Sequence, residues 1–561
     1  MAGNPTWSTA CVDWERRIVA SESLIAFDPL FPDHAEAAMT VFSELRIVDA
    51  IGSPTMGEAA RPWMMDFARA IFGSYNPKTG RRLINEYLLL VSKKNGKSTL
   101  AAAVMLTALL LNWRKSGEFI VLAPTKEVAD NSFEPMRDMI REDDDLSAIL
   151  HVQGHLRKIT HIGTNATIKV IAADSDTVSG KKAIGVFVDE LHEFGKKAKA
   201  SNMLLEATGG LASRPEGFVI YASTQSELPP AGVFRQKLQY ARKVRDGEIK
   251  NNKFLPVLYE FPAEMIESKA YRNLENAYVT NPNWGVSVDV ERISQLHEEY
   301  MEGGEERYIE FAAKHLNVQV TTALANDRWM GADYWDGQAD RSITLSYLLD
   351  NCDVIDVGID GGGLDDLLGL CVLGRHKVTK EWLAWCRAWA HPSVLERRKD
   401  ISPRLKDFQA DGDLVIVGHI GEDVDDLASI VAEVSDAGLL DLVGADPAGI
   451  GSVLDALEEK GIPKEKLIAV SQGWKLSGTI KTAERRLAEG TLKHAGQPLM
   501  SWCVGNAKTV PVGNAINITK QVSGSAKIDP LMAFFDAVQL MALNPAAASG
   551  SVYETRGIRF I

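Results

Sequence analysis

Cysteine is scarce in this chain and is never clustered. The 561 residues include five cysteines, and no two of them form a C-x-x-C pair. Cysteines that hold zinc or build a disulfide framework recur at short spacings, so neither kind of site is expected. Their scatter is typical of a protein from a reducing cytoplasm. The cysteines are Cys11, Cys352, Cys371, Cys386 and Cys503.

Long apolar runs and an excess of positive charge are also missing. No run of about eighteen apolar residues occurs, so a membrane span is not expected. Residues 1–17 lack a basic segment followed by an apolar one, so no signal peptide is expected either. The formal net charge is −14. A protein that coats DNA passively is usually basic, whereas an acidic chain can still process DNA through metal-bound carboxylates.

Two regions alternate short apolar runs with helical patterns, as expected for a chain too long for one compact core. The first spans about residues 80–225, and the second begins near residue 353. Nearly continuous apolar runs are typical of strands buried on both faces of a sheet. The runs are EYLLLV, GEFIVLAP, TIKVIAA, AIGVFVDE and GFVIYAST in the first region, and DVIDVGID, LLGLCVLGRH, WLAWCRAWA, LVIVGHI and LLDLVGAD in the second. A helical stretch at 98–113 follows the first strand, which indicates a β-loop-α-β unit.

Between that strand and helix lies VSKKNGKS, residues 91–98, which ends like a phosphate-binding loop. The usual pattern is G-x-x-x-x-G-K-[ST], but Val91 stands where the first glycine would be. In such a loop backbone N–H groups cradle phosphates, a lysine reaches the terminal ones and a serine hydroxyl binds Mg²⁺. Gly96, Lys97 and Ser98 are the candidates here. The alternative is a surface turn that ends a strand.

A partner motif follows about ninety residues later, where the strand AIGVFVDE ends in Asp189 and Glu190. The aspartate can hold the Mg²⁺ shell, and the glutamate can orient or deprotonate the attacking water. Two such motifs, in this order and each on a buried strand, favour an ATPase over two unrelated turns. A third strand ends in Ser223 and Thr224, where a DNA-translocating ATPase would carry its coupling motif.

Two further lysines lie inside the loop. Lys93 or Lys94 could face the γ-phosphate and neutralise the charge that develops in the transition state, as an arginine finger does. Solvated lysines are the alternative, and the spacing does not choose between the two positions.

Aspartates recur in the second region at the ends of predicted strands and on a late helix. Asp360 and Asp446 each end a strand. Asp529 opens an amphipathic helix, and Asp536 lies two turns further on, so both can share a face. Three carboxylates from separate elements could hold two divalent metals about 4 Å apart for phosphodiester hydrolysis. Each aspartate alone also suits a turn or a helix start.

These motifs resemble the large terminase subunit of tailed bacteriophages, the ATP-driven motor that packages and cuts viral DNA. The resemblance runs from about residue 55 to 545, and the missing first glycine is itself typical of this family. Its segments are ARPWMMDFARAIFG, VSKKNGKST, VLAPTKEVADNSF, DTVSGKKAIGVFVDELHEF, YVTNPNWGVSV, FAAKHLNVQV, VGIDGGGLDDLLGL, GADPAGIG, GTIKTAERRLAEGTLKHAGQPLMSW and KIDPLMAFFDAV. The family often has glutamine where this chain has Met64, so base recognition is not assigned there.

The resemblance implies an α/β protein in which a P-loop ATPase domain of the RecA/ASCE type precedes an RNase H-like nuclease domain. We expect an N-terminal segment (1–50), the ATPase core (51–255), a helical lid or linker (256–345), the nuclease (346–545) and a flexible tail (546–561).

The same resemblance implies roles for individual residues. ATP, with Mg²⁺, is expected to bind Ser92, Lys93, Lys94, Asn95, Gly96, Lys97, Ser98, Thr99 and Asp189, with Ser98 and Asp189 on the metal. Glu190 is expected to be catalytic, as is Lys93, although lysine lacks the planar fork of the arginine found there in many relatives. Ser223 and Thr224 are the expected coupling residues. Two Mg²⁺ or Mn²⁺ ions are expected on Asp360, Asp446 and Asp529, with Asp366 and Asp536 in reserve.

The partners implied by the resemblance are double-stranded DNA, the portal protein of the procapsid, a small terminase subunit and further copies of the chain in a ring, expected to be a pentamer. The expected location is the host cytoplasm, with transient docking on the procapsid and no membrane. The basic stretch 235–247 is a candidate DNA grip or a solvated helix. Two other functions stay open: a helicase-like translocase that binds but does not cut DNA, and a structural portal-vertex protein with a relic nucleotide site.

Overall fold

The computed structural model describes residues 7–173, 183–197, 199–320, 329–446, 451–513, 515–520 and 527–547. The chain divides into two compact units, Met1–Val320 and Thr321–Ile561. Most of the predicted tail, from residue 548 onward, lies outside the described residues, as do residues 321–328 of the predicted linker. Within the described ranges, no helix has the length and apolar character needed to cross a membrane.

The first unit is a parallel sheet with helices around it. Its strands are β1 (Tyr75–Asn76), β2 (Arg81–Arg82), β3 (Glu86–Leu90), β4 (Glu118–Ala123), β5 (Leu150–Gln153), β6 (Lys158–His161), β7 (Thr167–Ala172), β8 (Ala183–Val188), β9 (Phe218–Ser223) and β10 (Phe254–Leu258). Its helices are α1 (Trp14–Val19), α2 (Pro32–Glu44), α3 (Met56–Ala59), α4 (Pro62–Phe72), α5 (Lys97–Leu110), α6 (Lys126–Arg141), α7 (Asp144–Ile149), α8 (Leu191–Phe194), α9 (Ala200–Gly209), α10 (Gly232–Arg245), α11 (Ala263–Glu267), α12 (Val290–Glu302) and α13 (Glu305–Leu316).

The main sheet of this unit runs in the order β10-β3-β9-β8-β4-β7-β6-β5, and the strands from β10 to β7 are parallel. The five strands predicted in this region are all present, and every residue of β8 and β9 is buried. Their apolar side chains can be buried on both faces because helices cover both sides of a parallel sheet. The phosphate loop, Asp189 and Ser223 therefore all lie at the carboxyl edge of one sheet.

Two parts of this sheet have no counterpart in the sequence analysis. Strand β10 pairs with β3 and straddles residue 255, where we expected the ATPase core to end. The hairpin of β5 and β6 extends the other edge in the antiparallel sense. Both are short segments with a mixed polar and apolar pattern or a proline, which carry a weak strand signal on their own.

The second unit is a mixed sheet crossed by one buried helix. Its strands are β11 (Cys352–Gly361), β12 (Leu368–His376), β13 (Trp382–Ala390), β14 (Leu414–Ile416), β15 (Leu440–Ala445), β16 (Leu467–Ala469), β17 (Leu492–His494), β18 (Ala507–Val512) and β19 (Ala515–Lys520). Its helices are α14 (Ala332–Trp335), α15 (Leu345–Asn351), α16 (Pro392–Arg397), α17 (Ser402–Asp411), α18 (Glu422–Asp436), α19 (Gly451–Glu459), α20 (Ser477–Ala488), α21 (Pro498–Asn506) and α22 (Asp529–Met541).

The main sheet of the second unit runs in the order β14-β13-β12-β11-β15-β16. Strands β11, β12 and β13 form an antiparallel meander, and β15 joins β11 in parallel. Helix α22 packs directly on this sheet because glycine lies beneath it: a Cβ added at Gly358 would sit 1.9 Å from the carbonyl oxygen of Ala533. The predicted α/β fold class is confirmed, with strands where the second set of apolar runs placed them.

Candidate functional site

The phosphate loop joins β3 to α5 through two residues in the left-handed region. Gly96 has φ = 76° and directly precedes α5, and Lys94 has φ = 69°. A non-glycine residue adopts such a φ only at some cost, so the surrounding structure must hold the loop in this shape. The first N–H groups of α5 have no partner within the helix, which leaves donors at the end where a phosphate would bind.

Lys97 and Glu190 form the centre of this site. The Lys97 ammonium is buried and lies 4.0 Å from a carboxylate oxygen of Glu190. Glu190 has φ = 50° and directly precedes α8, two residues after the end of β8. Burial opposes its charge, but Lys97 and a hydrogen bond from His192 lower the pKa of Glu190 to about 2. Glu190 is therefore ionised at neutral pH.

Asp189 is buried one residue earlier, at the end of the same strand. The Ser132 hydroxyl donates to one carboxylate oxygen at 2.7 Å, and the Glu190 N–H donates to the other at 3.0 Å. Burial and the neighbouring Glu190 charge raise the pKa of Asp189 to about 6. A carboxylate held in this way has lone pairs left for a cation or its water shell.

His192 links the acidic pair to the end of β9, a connection that the sequence analysis missed. Its Nδ1 lies 3.3 Å from Glu190 and from the Ser223 hydroxyl, and its Nε2 lies 3.2 Å from Glu193. The backbone N–H of His192 also donates to Ser223 Oγ at 3.0 Å. Burial opposes protonation, but the two glutamates raise the pKa of His192. A lone histidine in the stretch DELHEF has no spacing that would have revealed this.

The two loop lysines differ in their surroundings. Lys93 is half-buried, and its charge is one of those that lower the pKa of Glu190. Lys94 is exposed. Of the other predicted loop residues, Ser92 and Asn95 are buried, and Ser98 and Thr99 lie partly exposed in the first turn of α5.

The basic stretch 235–247 falls mainly on α10, and several of its charges are engaged inside the unit. Lys237 pairs with Glu86, and Arg242 and Arg245 both pair with buried Glu260. These three cations are therefore held in ion pairs within the unit rather than freely solvated.

In the second unit the predicted aspartates lie at one edge of the sheet. Ile359 pairs with Ala445 in the register of β11 and β15, so Asp360 and Asp446 follow at neighbouring strand ends. Helix α22 begins at Asp529, as predicted. A Cβ added at Gly361 would lie 3.2 Å from the Asp529 Cβ, which places Asp529 beside the end of β11.

Burial and mutual repulsion raise the pKa values of three of these carboxylates. Burial, then Asp529, Asp446 and Asp366, raise the pKa of Asp360 to about 8. Burial and Asp360 raise the pKa of fully buried Asp536 to about 9, against a hydrogen bond from Gln472. Burial and Asp366 raise the pKa of Asp529 to about 6, although Lys527 opposes them. The raised pKa values of Asp360 and Asp536 disfavour their ionised forms at neutral pH, and a bound cation would offset this.

The carboxylate oxygens of these aspartates are chemically suited to bind divalent metal ions. One carboxylate oxygen of Asp529 and one of Asp536 are buried with no hydrogen-bond partner among the described residues, and carboxylate oxygens are the ligands that Mg²⁺ and Mn²⁺ prefer. In the same described ranges, no three His, Cys, Asp or Glu side chains are close enough together to hold one ion. The aspartates are thus gathered at one edge without forming a finished coordination shell.

A buried lysine, also missed by the sequence analysis, stands beside this cluster. Lys527 is 2% exposed, and its ammonium donates to the carboxylate of Asp366 and to the backbone oxygen of Asp365. It ties the glycine-rich turn after β11 to the start of α22. Its place in the sequence, two residues before Asp529, gives no signal of this contact.

The fold and the two sites are those of a two-part enzyme, in which an ATPase unit of the phosphate-loop type is followed by a metal-dependent nuclease unit. Two family models match the chain, "Terminase large subunit, ATPase domain" over residues 62–241 and "Terminase large subunit, endonuclease domain" over residues 258–544. The chain belongs to the terminase large subunit family, with ATPase and endonuclease activity and the use of a nucleotide and divalent metal. This confirms the resemblance and disfavours the cutting-deficient translocase and the structural portal-vertex protein.

Several curated relatives and solved structures that match this chain are phage large terminases. Protein YmfN of Escherichia coli is also similar, with 24% identity over 63% of this chain and 76% of that protein. The terminase large subunit of Enterobacteria phage HK97 is 22% identical over 514 residues, covering 88% of this chain and 92% of that protein. The terminase large subunit of Lactococcus phage p2 is 22% identical and covers 82% of each chain. The crystal structure of the HK97 large terminase matches with a TM-score of 0.48 and 19% identity, over 90% of this chain and 99% of that one.

Proposed function

We propose that the loop 91–98 binds Mg²⁺–ATP and that Glu190 prepares the water that attacks the γ-phosphate. The observation that carries this proposal is the buried contact of 4.0 Å between Lys97 and Glu190 across the carboxyl edge of the sheet. Ser98 and Asp189 would hold Mg²⁺, which screens the phosphate charge when bound. Ser92, Lys94, Asn95, Gly96 and Thr99 complete the loop that would surround the phosphates.

Lys97 has two partners in this proposal. Without nucleotide its ammonium stabilises ionised Glu190, whose pKa of about 2 makes it a poor proton acceptor. When ATP binds, Lys97 turns to the terminal phosphates, and the pKa of Glu190 rises as the cation leaves. Glu190 therefore becomes a better base when ATP binds.

Lys93, rather than Lys94, is the cation that we assign to the γ-phosphate. Its half-buried position and its electrostatic influence on Glu190 support this choice, since both groups would then face the same phosphate. Lys94 is exposed.

Ser223 and Thr224 are proposed to sense hydrolysis through His192. Ser223 contacts both the backbone and the ring of His192, and its hydroxyl donates to the Thr224 carbonyl at 2.9 Å. The Thr224 hydroxyl is buried with no hydrogen-bond partner among the described residues, so this turn can exchange partners at little cost. A change in the charge around Glu190 therefore reaches the end of β9 through two contacts.

For DNA cleavage we propose two overlapping carboxylate sets that share Asp360. Asp446 and Asp536 form one set with it, since Asp536 repels both, and Asp529 and Asp366 form the other. Each set would hold one Mg²⁺ or Mn²⁺, and such a pair activates water and stabilises the leaving oxygen. On this proposal Asp529 and Asp536 are both ligands rather than alternatives.

Membership of the terminase family supports a proposal for the partners. We infer that the chain translocates double-stranded DNA into a procapsid and cuts concatemeric DNA, acting as a ring of copies on the portal with a small terminase subunit. The ring size is proposed to be five. We infer the host cytoplasm as its location, with transient docking on the procapsid.

Plasmid cleavage tests the nuclease assignment directly. The purified chain is incubated with Mn²⁺ or Mg²⁺ beside Asp360→Ala and Lys97→Ala. We expect cutting by the parent and by Lys97→Ala, and none by Asp360→Ala. Cutting by Asp360→Ala at the rate of the parent would refute the proposed metal site.

A further inference from the structure

A distant segment holds the phosphate loop from outside. Residues 281–287, Asn-Pro-Asn-Trp-Gly-Val-Ser, lie before α12, and we call them the strap. Asn95 donates from its side-chain amide to Asn281 Oδ1 at 2.9 Å across 186 residues of sequence. The Asn281 amide in turn donates to the His315 carbonyl at 2.8 Å, so the strap is itself anchored on α13.

Asn283 makes the closest set of contacts with the loop. Its backbone N–H donates to Asn95 Oδ1 at 3.0 Å, and its side-chain amide donates to the Asn95 carbonyl at 3.1 Å and to Ser287 Oγ at 3.0 Å. The Ser287 hydroxyl then donates to the Lys94 carbonyl at 2.6 Å. Two successive loop carbonyls are therefore bound to the strap.

The amide of Asn283 is held in this orientation by Trp63. The indole N–H of Trp63 donates to Asn283 Oδ1 at 2.7 Å. Because an indole is a donor only, the oxygen of the amide must face Trp63 and the NH₂ group must face the loop. Asn95, Asn281 and Asn283 are all buried, so these bonds are made away from solvent.

The bound carbonyls determine where the loop N–H groups point. In a planar trans peptide the C=O and the following N–H point in opposite directions. A Lys94 carbonyl turned to Ser287 directs the Asn95 N–H away from the strap, and an Asn95 carbonyl turned to Asn283 does the same for the Gly96 N–H. N–H groups at these loop positions are the ones with which a phosphate loop holds its phosphates.

We propose that the strap is the second half of the nucleotide site, with Asn283 and Ser287 as positioning residues for the phosphate-binding N–H groups of Asn95 and Gly96. This inference rests on the proposed role of loop 91–98 in binding ATP. It also accounts for a loop that keeps its shape with Val91 in place of the first glycine, because the strap supplies hydrogen bonds from outside.

Ser287 is the position at which the proposal can be tested without disturbing the core, because its side chain is exposed. Ser287→Ala removes the bond to the Lys94 carbonyl, and Ser287→Thr keeps a hydroxyl there. Ser294→Ala is the matched control, since Ser294 on α12 is half-buried and its hydroxyl likewise donates a solvent-exposed hydrogen bond to a backbone carbonyl, that of Val290, at 2.8 Å. Affinity for a non-hydrolysable ATP analogue with Mg²⁺ is measured together with the thermal midpoint.

Ser287→Ala should bind the analogue about fivefold more weakly, the effect of one net hydrogen bond. Ser287→Thr should restore the affinity, Ser294→Ala should match the parent, and all thermal midpoints should agree. Asn283→Ala removes three side-chain hydrogen bonds, to the Asn95 carbonyl, to Ser287 and from Trp63. Two of these bonds hold the loop, directly or through Ser287, so the affinity should fall on the order of thirtyfold.

Two results would overturn the inference in different ways. Parent-like affinity in Ser287→Ala, with binding lost in Lys97→Ala, would remove the role of the strap and leave the nucleotide site standing. Parent-like affinity in both Ser287→Ala and Lys97→Ala would mean that loop 91–98 does not bind the phosphates at all, and the strap proposal would fall with it.

Discussion

The two units place carboxylates in opposite electrostatic surroundings. Glu190 lies beside Lys97 and His192, and its pKa falls to about 2. Asp360 and Asp536 are buried beside other aspartates, and burial, together with repulsion from these neighbours, raises their pKa values to about 8 and about 9. The ATPase site carries its counter-charge in the polypeptide, whereas the nuclease site must take its counter-charge from solution.

This difference suits the two reactions. An ATPase site that balances its own charge before substrate arrives can release Lys97 to the phosphates and so respond to binding. A nuclease site in which the ionised forms of Asp360 and Asp536 are disfavoured gains these charged ligands when divalent metal binds. The nearby cation of the second unit, Lys527, already neutralises Asp366 and leaves the remaining aspartates repelling one another.

Two substitutions, one in each unit, are expected to have the largest effects and test whether the two sites act separately. Lys97→Ala should lower ATP turnover at least about 10³-fold, because it removes charge stabilisation from phosphoryl transfer. Asp360→Ala should abolish metal-dependent plasmid cutting, since both proposed metal sets share it. Each variant should keep the other activity, as measured by phosphate release and by gel analysis. Loss of both activities in either variant would show that the two sites do not act separately.

The next largest effect concerns the two aspartates of α22. Asp529→Asn and Asp536→Asn should each reduce bound Mn²⁺ from two ions to one, and each should slow cleavage on the order of 10³-fold, the several kcal/mol that one metal supplies. Calorimetric titration and cleavage rates measure the two effects. If only one of these variants loses a metal, the other aspartate is structural, and the shared-ligand arrangement is wrong.

A smaller effect separates the two loop lysines. Lys93→Ala should reduce kcat for ATP about 10²-fold, as the loss of one preorganised group acting on the transition state does. Lys94→Ala is the matched control, one residue along the loop, and should leave kcat unchanged. Steady-state ATP turnover over a range of substrate concentrations distinguishes the two. The reverse pattern would assign the cation to Lys94.

The smallest effect is a pH dependence of the second unit, measured between pH 6 and pH 8. With metals chelated, Asp536 has a folded pKa of about 9, well above the ordinary aspartate value. Between about pH 4 and pH 9 the folded state therefore holds more protons than the unfolded state, and stability falls as pH rises, by at most about 1.4 kcal/mol per pH unit for one such group.

Hydrogen exchange of α22, corrected for the intrinsic pH dependence of exchange, measures this loss. Protection should fall from pH 6 to pH 8 under chelation and return when Mn²⁺ is added. Asp536→Asn, which has no titrating group at this position, should show a flatter dependence. Protection that rises with pH in the chelated parent would contradict the raised pKa.

Much of the fold was open to prediction because it depends on local pattern. The apolar runs of β3, β4, β7, β8 and β9 are long and continuous enough to indicate strands buried on both faces. The start of α5 was placed to within one residue, at Lys97 or Ser98, and the start of α22 at Asp529 also followed from the sequence. Strands β5, β6 and β10 escaped prediction because their pairing with neighbours, more than their composition, makes them strands.

The α/β class, the order of the two units and the residue types that each reaction needs could be read from the amino-acid pattern, because they depend on periodicity and on short motifs. The distant groups that complete the sites are known only from the folded chain: His192 beside Ser223, Lys527 on Asp366 and Asn283 on the phosphate loop. Asn95 and Asn283 are 188 residues apart in the chain. No local pattern specifies such contacts, since they form only when packed elements bring distant polar groups together in a buried place where each must find a partner.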